Sequence, residues 1–115
     1  MRGLHFILTP FLLAPLACDS DSRDGGAGGR NGDILALTGD AAAGETVFNS
    51  NACSSESCHG ADGNSGSAPA LMTVVSGLSD DAAIDSVLDG KGGMPPQALE
   101  DQQMADVLAW MRANF

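Results

Sequence analysis

How little of this chain can build a core is what most limits its fold. Asp19 to Asp33 consists of Gly, Ser, Asp, Ala and Asn with two Arg, and includes Gly25-Gly26-Ala27-Gly28-Gly29 but no large apolar side chain. Such a stretch has nothing to bury and is expected to serve as a flexible tether. Fully stretched, it would reach on the order of 50 Å. A globular composition begins only at Ile34 and leaves about 80 residues, a size at which one hydrophobic core is marginal and a disulfide, a metal or a covalent cofactor is usually needed as a staple.

Ahead of the tether, Phe6 to Ala17 is almost wholly apolar, broken by Thr9, Pro10 and Pro15. It is too short to span a bilayer, which takes about 20 apolar residues. Residues 1–17 therefore read as a secretory signal peptide. Ala17-Cys18 resembles the cleavage box of bacterial lipoproteins, although Pro15 stands where a Leu is usual. That resemblance implies lipidation of Cys18, followed by a linker over 18–35 and an anchor at the membrane, since several acyl chains hold firmly where one does not. A plain signal cut after Ala17, leaving Cys18 a free thiol, is the alternative. Asp19 resembles a signal retaining lipoproteins at the inner membrane. Either route leads to an oxidising compartment, so Cys53 and Cys58 must be a disulfide, an attachment point for a cofactor or metal, or an oddity.

Over the remainder, residues 36–115, helix signals recur and no alternating strand is evident. Asp40 precedes Ala41-Ala42-Ala43 as an N-cap and starts a helix running to about Asn49. Ser79 precedes the acids Asp80 and Asp81. Ala83, Ile84, Val87 and Leu88 then form an apolar stripe that stops at Gly90. A last helix is predicted from about Glu100 to Ala113, because Met104, Val107, Leu108 and Met111 fall at i, i+3, i+4 and i+7. Gly60, Gly63, Asn64, Gly66 and Pro69 argue for a loop.

The chemistry lies in Cys53-Ser54-Ser55-Glu56-Ser57-Cys58-His59. Two nearby thiols can add across the two vinyl groups of haem, which leaves a histidine directly after the second thiol under the iron. Two residues usually separate such cysteines, and here there are four. With the attachment points on haem fixed, the surplus must bulge outward, as small polar residues would allow. A structural disulfide accounts for the cysteines equally well but not for the adjoining His59. His5 would be lost with the signal peptide.

Further residues in order carry a family resemblance: Gly44 and Phe48 before the cysteines, Gly60 after the histidine, Ala68-Pro69-Ala70-Leu71, Gly90-Lys91-Gly92-Gly93-Met94-Pro95-Pro96, and Trp110 near the end. Over residues 36–115 the chain resembles class I cytochromes c. The resemblance implies an all-α fold of three to five short helices around one covalently bound haem c. It implies thioether bonds at Cys53 and Cys58, and His59 and Met94 as axial iron ligands. The Pro69 carbonyl would accept a hydrogen bond from the His59 ring and so fix its tautomer and orientation. Leu71 and Phe48 would wall the haem, and Trp110 would pack on the helix of Gly44. Of the other methionines, Met104 and Met111 lie on a helix stripe, whereas Met72 could line the pocket. Only Met94 sits in a glycine-rich turn stiffened by two prolines.

With both axial positions filled and no distal acid or base in view, an electron carrier is expected rather than an enzyme, with no small-molecule substrate. The charge of −10 becomes about −11 once Arg2 is removed with the signal. It disfavours nucleic acid and suits redox donor and acceptor proteins with basic docking faces, though it also serves plain solubility. The expected setting is the periplasm or cell envelope, at the outer face of the cytoplasmic membrane. The contrasting expectation is a small exported disulfide-bonded lipoprotein, binding or structural, without haem.

Overall fold

The computed structural model describes residues 29–115, so the expected signal peptide, Cys18 and most of the expected linker lie outside the described residues. Among these there are five α-helices: α1 (Arg30–Leu35), α2 (Ala41–Ser50), α3 (Leu71–Val74), α4 (Asp80–Leu88) and α5 (Asp101–Asn114), with a 3-10 turn at Val75–Gly77. No strand forms among them, only an isolated bridge between Lys91 and Met94. The fold is all-α, as the sequence implies.

Each helix start has a visible cause. The Asp40 carboxylate accepts from the N–H groups of Ala42 and Ala43 and caps α2. Ser79 Oγ accepts from Ala82 N and caps α4. At α5, Glu100 and Gln103 exchange side-chain and backbone bonds in a capping box.

The frame is the crossing of α2 on α5. Gly44 lies at the contact: a Cβ there would overlap the Asp106 carbonyl and come within 2.8 Å of Trp110 Cβ. The two backbones therefore meet only because Gly44 has no side chain. Phe48, one turn on, packs its ring 4.5 Å from Trp110, which in turn takes Phe115 edge-on at 5.4 Å. The α5 stripe is buried as its spacing predicts, with Met104 wholly enclosed. Ile84 of α4 is equally enclosed and belongs to the same core. Asp106 is buried beside the crossing and satisfied. It accepts from Asp40 N at 2.8 Å and from Gln102 Nε2 at 2.9 Å.

One boundary differs from the sequence reading. The segment expected to be linker through residue 35 ends in α1, and its Ile34 is 1% exposed in the shared core. Residues 30–35 of that segment are thus helical and share the core. RNGDIL has weak helix propensity, and α1 depends on burial of Ile34 and on contacts that Arg30 and Asn31 make elsewhere.

Candidate functional site

The loop after α2 carries the two thiols. Ala52 opens it with a left-handed backbone, φ 59°. Backbone bonds then fold the seven-residue motif on itself. His59 N donates to Cys53 O at 3.0 Å, Cys58 N donates to Ser55 O at 3.0 Å, and Gly60 N donates to the same Ser55 carbonyl at 2.9 Å. The surplus residues do not simply project into water. Ser54 and Ser55 are half-buried, while Glu56 and Ser57 are exposed. Glu56 O accepts from Ser67 N at 2.9 Å and from Ser67 Oγ at 3.3 Å. The longer spacing is absorbed by a latched turn because its carbonyls find donors in the following loop.

That following loop runs back alongside the motif. Gly66 N donates to His59 O and Ala68 N donates to Cys58 O, at 3.0 and 2.8 Å. Gly60 turns the chain with φ +80° where a Cβ would strike Ser65 and Gly66. Asp62 Oδ1 accepts from the N–H groups of Asn64 and Ser65. These bonds, the Asn64 N–H foremost, hold the exposed Asp62 carboxyl below its usual acid range. Asn64 Oδ1 accepts from Met72 N at 2.9 Å, and Leu71 N donates to Gly63 O at 3.0 Å. Asp62, Asn64 and Ser67 therefore fix how the Leu71 segment meets the motif. The sequence reading saw only a loop here, although Asp62-Gly63-Asn64 carries the Asx-turn chemistry that betrays such a hold.

Cys53 and Cys58 are free thiols, both half-buried. Burial pushes the Cys53 thiol up, the neighbouring Cys58 adds to that, and a bond to its own backbone opposes it. Cys53 therefore stays protonated at neutral pH. The His59 ring lies 6.3 Å from the Phe48 ring. Its Nδ1 is buried and has no hydrogen-bond partner. The bond to the Pro69 carbonyl implied by resemblance is thus not made in this structure, although Ala68 next to Pro69 is bonded to Cys58. Pro69 is exposed, Leu71 is buried, and Met72 is 60% exposed with its backbone engaged by Asn64.

Met94 stands apart from this network. Lys91 N donates to Met94 O at 3.1 Å and Met94 N donates to Lys91 O at 3.0 Å, closing a tight turn. Met94 is half-buried, and Asp89 to Pro96 line an open pocket of about 350 Å³. No hydrogen bond among the described residues joins this turn to the Cys53–His59 loop.

Two free thiols followed at once by a histidine, with the Phe48 ring beside it, form a donor set that fits haem attached through sulfur and held by imidazole. Set on an all-α frame with α2 crossing α5, they define a c-type cytochrome domain. More narrowly, the chain belongs to the family described as cytochrome C oxidase, cbb3-type, subunit III, whose model matches residues 39–111. Comparisons with curated proteins and with solved structures give no match. Membership implies a covalently attached haem c with iron, haem-based electron transfer, and redox proteins as partners. It suggests a carrier rather than an enzyme, and domains of this kind typically face the periplasm or cell envelope. No helix among the described residues is long and apolar enough to cross a membrane.

Proposed function

We propose that this protein is a one-haem electron carrier with His59 and Met94 as axial ligands, held by a lipidated Cys18 at the outer face of the cytoplasmic membrane. The observation that carries the site is His59 standing directly after two free thiols. When bound, haem supplies one-electron exchange between Fe(III) and Fe(II). The chain's own residues do the rest. Each of the Cys53 and Cys58 S–H groups adds across a vinyl double bond, sulfur to one carbon and hydrogen to the other, so no oxidant is needed. His59 and Met94 would hold the iron between them, and with both positions taken by the chain the haem would serve electron exchange rather than substrate binding. Phe48 and Leu71, both buried, would supply the apolar wall that keeps water from the haem.

A thioether ligand and an apolar shell raise the reduction potential, which suits delivery to a high-potential acceptor such as a terminal oxidase. Partners with basic docking faces suit the acidic chain. The anchor at Cys18 rests on the Ala17-Cys18 box and on the glycine-rich tether behind it.

The test is mass spectrometry and absorption spectroscopy of protein exported from a host that matures c-type cytochromes. The expected outcome is one covalent haem on the Cys53–Cys58 peptide, lipid on Cys18 and a methionine-to-iron band in the oxidised spectrum. Met94→Ala should abolish that band and lower the potential. Colourless protein with Cys53 bonded to Cys58 would sink the haem reading, whereas an unchanged Met94→Ala spectrum would remove only Met94.

A further inference from the structure

The loop joining α4 to α5 carries Met94, and the prolines that stiffen its turn do not fix where that turn sits on the molecule. Gly90, Gly92 and Gly93 sit within it. Apart from the Lys91–Met94 turn, one main-chain bond ties it back, from Gln97 N to Val87 O at 2.8 Å. Where its two ends are fixed therefore decides where Met94 can go.

Helix α1 touches both ends. On the far side, Arg30 Nη2 donates to the carbonyl of buried Leu99 at 2.6 Å, and Arg30 Nε donates to Asp101 Oδ1 at 2.8 Å. These acceptors lie where the loop enters α5. On the near side, Asn31 Nδ2 donates to Asp85 Oδ1 at 2.8 Å, one helical turn before Asp89, where the loop leaves α4. Ile34 buries in the core between them and gives α1 a fixed base. Exposed ion pairs contribute little, so Arg30–Asp101 alone would not matter. The charged donor on the Leu99 carbonyl is the stronger bond and the one set on the loop itself.

We propose that Arg30 and Asn31 are positioning residues that brace the Met94 loop at both ends and so govern how readily Met94 leaves the metal. The proposal rests on the reading of Met94 as an axial ligand. It gives a role to a segment that otherwise reads as the end of a linker.

The test compares the holoprotein with an Arg30→Ala/Asn31→Ala double variant. Arg112→Ala is the control: Arg112 makes a similar set of bonds, to Asp80 and to the Val75 and Leu78 carbonyls, far along α5 from the loop. Added imidazole, which competes with the methionine for oxidised iron, should bind the double variant about tenfold more tightly, the factor expected for one lost charge-assisted bond. Amide hydrogen exchange at Met94 and Gln97 should quicken by a similar factor. Arg30→Lys should restore part of both effects. Native-like imidazole binding and exchange in the double variant would overturn the proposal, as would an equal change in Arg112→Ala. Met94→Ala separates the two ideas. If its spectrum is unchanged, the ligand reading falls, and the brace is then judged by the exchange rates alone.

Discussion

Gly44 and Asp62 show how single positions carry this structure. At Gly44 the lack of a Cβ lets α2 rest on the Asp106 carbonyl, so Gly44→Ala must push the helices apart. The expected cost is about 1–3 kcal/mol, as for other overpacked sites, measurable by chemical denaturation of the holoprotein. Asp62 acts through its charge. Its folded-state pKa is depressed by the Asn64 and Ser65 N–H groups. It therefore contributes stability that is present above the usual carboxylate range and lost as pH falls through the depressed value. Asp62→Asn should flatten that acid-side loss in denaturation curves followed from neutral pH downward. A steep loss persisting in Asp62→Asn would assign it to other carboxylates.

At the scale of elements, α2 and α5 are joined by polar as well as apolar contact. The buried Asp106 carboxylate accepts from Asp40 N, the cap residue of α2, and from Gln102, whose amide also donates to Thr38 O. Asp106→Ala should leave the Asp40 N–H without its partner and cost about 1–3 kcal/mol. Asp106→Asn should recover part of the loss, since its amide oxygen can still accept. Thermal unfolding followed at 222 nm and at the haem band would report both changes.

Asp40, Ser79 and the Met104–Met111 stripe gave α2, α4 and α5 to within a residue or two, because capping and spacing are local signals. Helix α3 and the 3-10 turn went unseen, since Leu71-Met72-Thr73-Val74 is too short for a periodicity and its start is set by Gly63 and Asn64 from the preceding loop. Helix α1 was hidden for the related reason that Gly and Asp in RNGDIL speak against it, while Ile34 and Arg30 secure it from a distance. The cysteines and His59 were plain from adjacency. The latch of Glu56 on Ser67 was not, because nothing in the spacing of two residues eleven apart announces a bond.

For the molecule as a whole, charge is the dominant long-range property. The chain carries 15 acids against 5 bases, and two of those bases, Arg30 and Arg112, are taken up in ion pairs with Asp101 and Asp80. What an approaching partner meets is an acidic field. Bimolecular electron exchange with a partner presenting a basic face should therefore slow steeply as ionic strength rises through the range where the Debye length falls from about 30 to about 10 Å. Stopped-flow mixing at several salt concentrations measures this, and a rate indifferent to salt would mean that the acidity serves solubility alone.

The pairing of main-chain rungs from Cys58 and His59 to Ala68 and Gly66 has a consequence for evolution of the motif. With the carbonyls of Cys58 and His59 held by Ala68 and Gly66, the seat of the ring draws part of its support from outside the stretch between the cysteines. An insertion there would have to preserve the acceptors at Cys53 and Ser55 that also hold the His59 and Gly60 peptides.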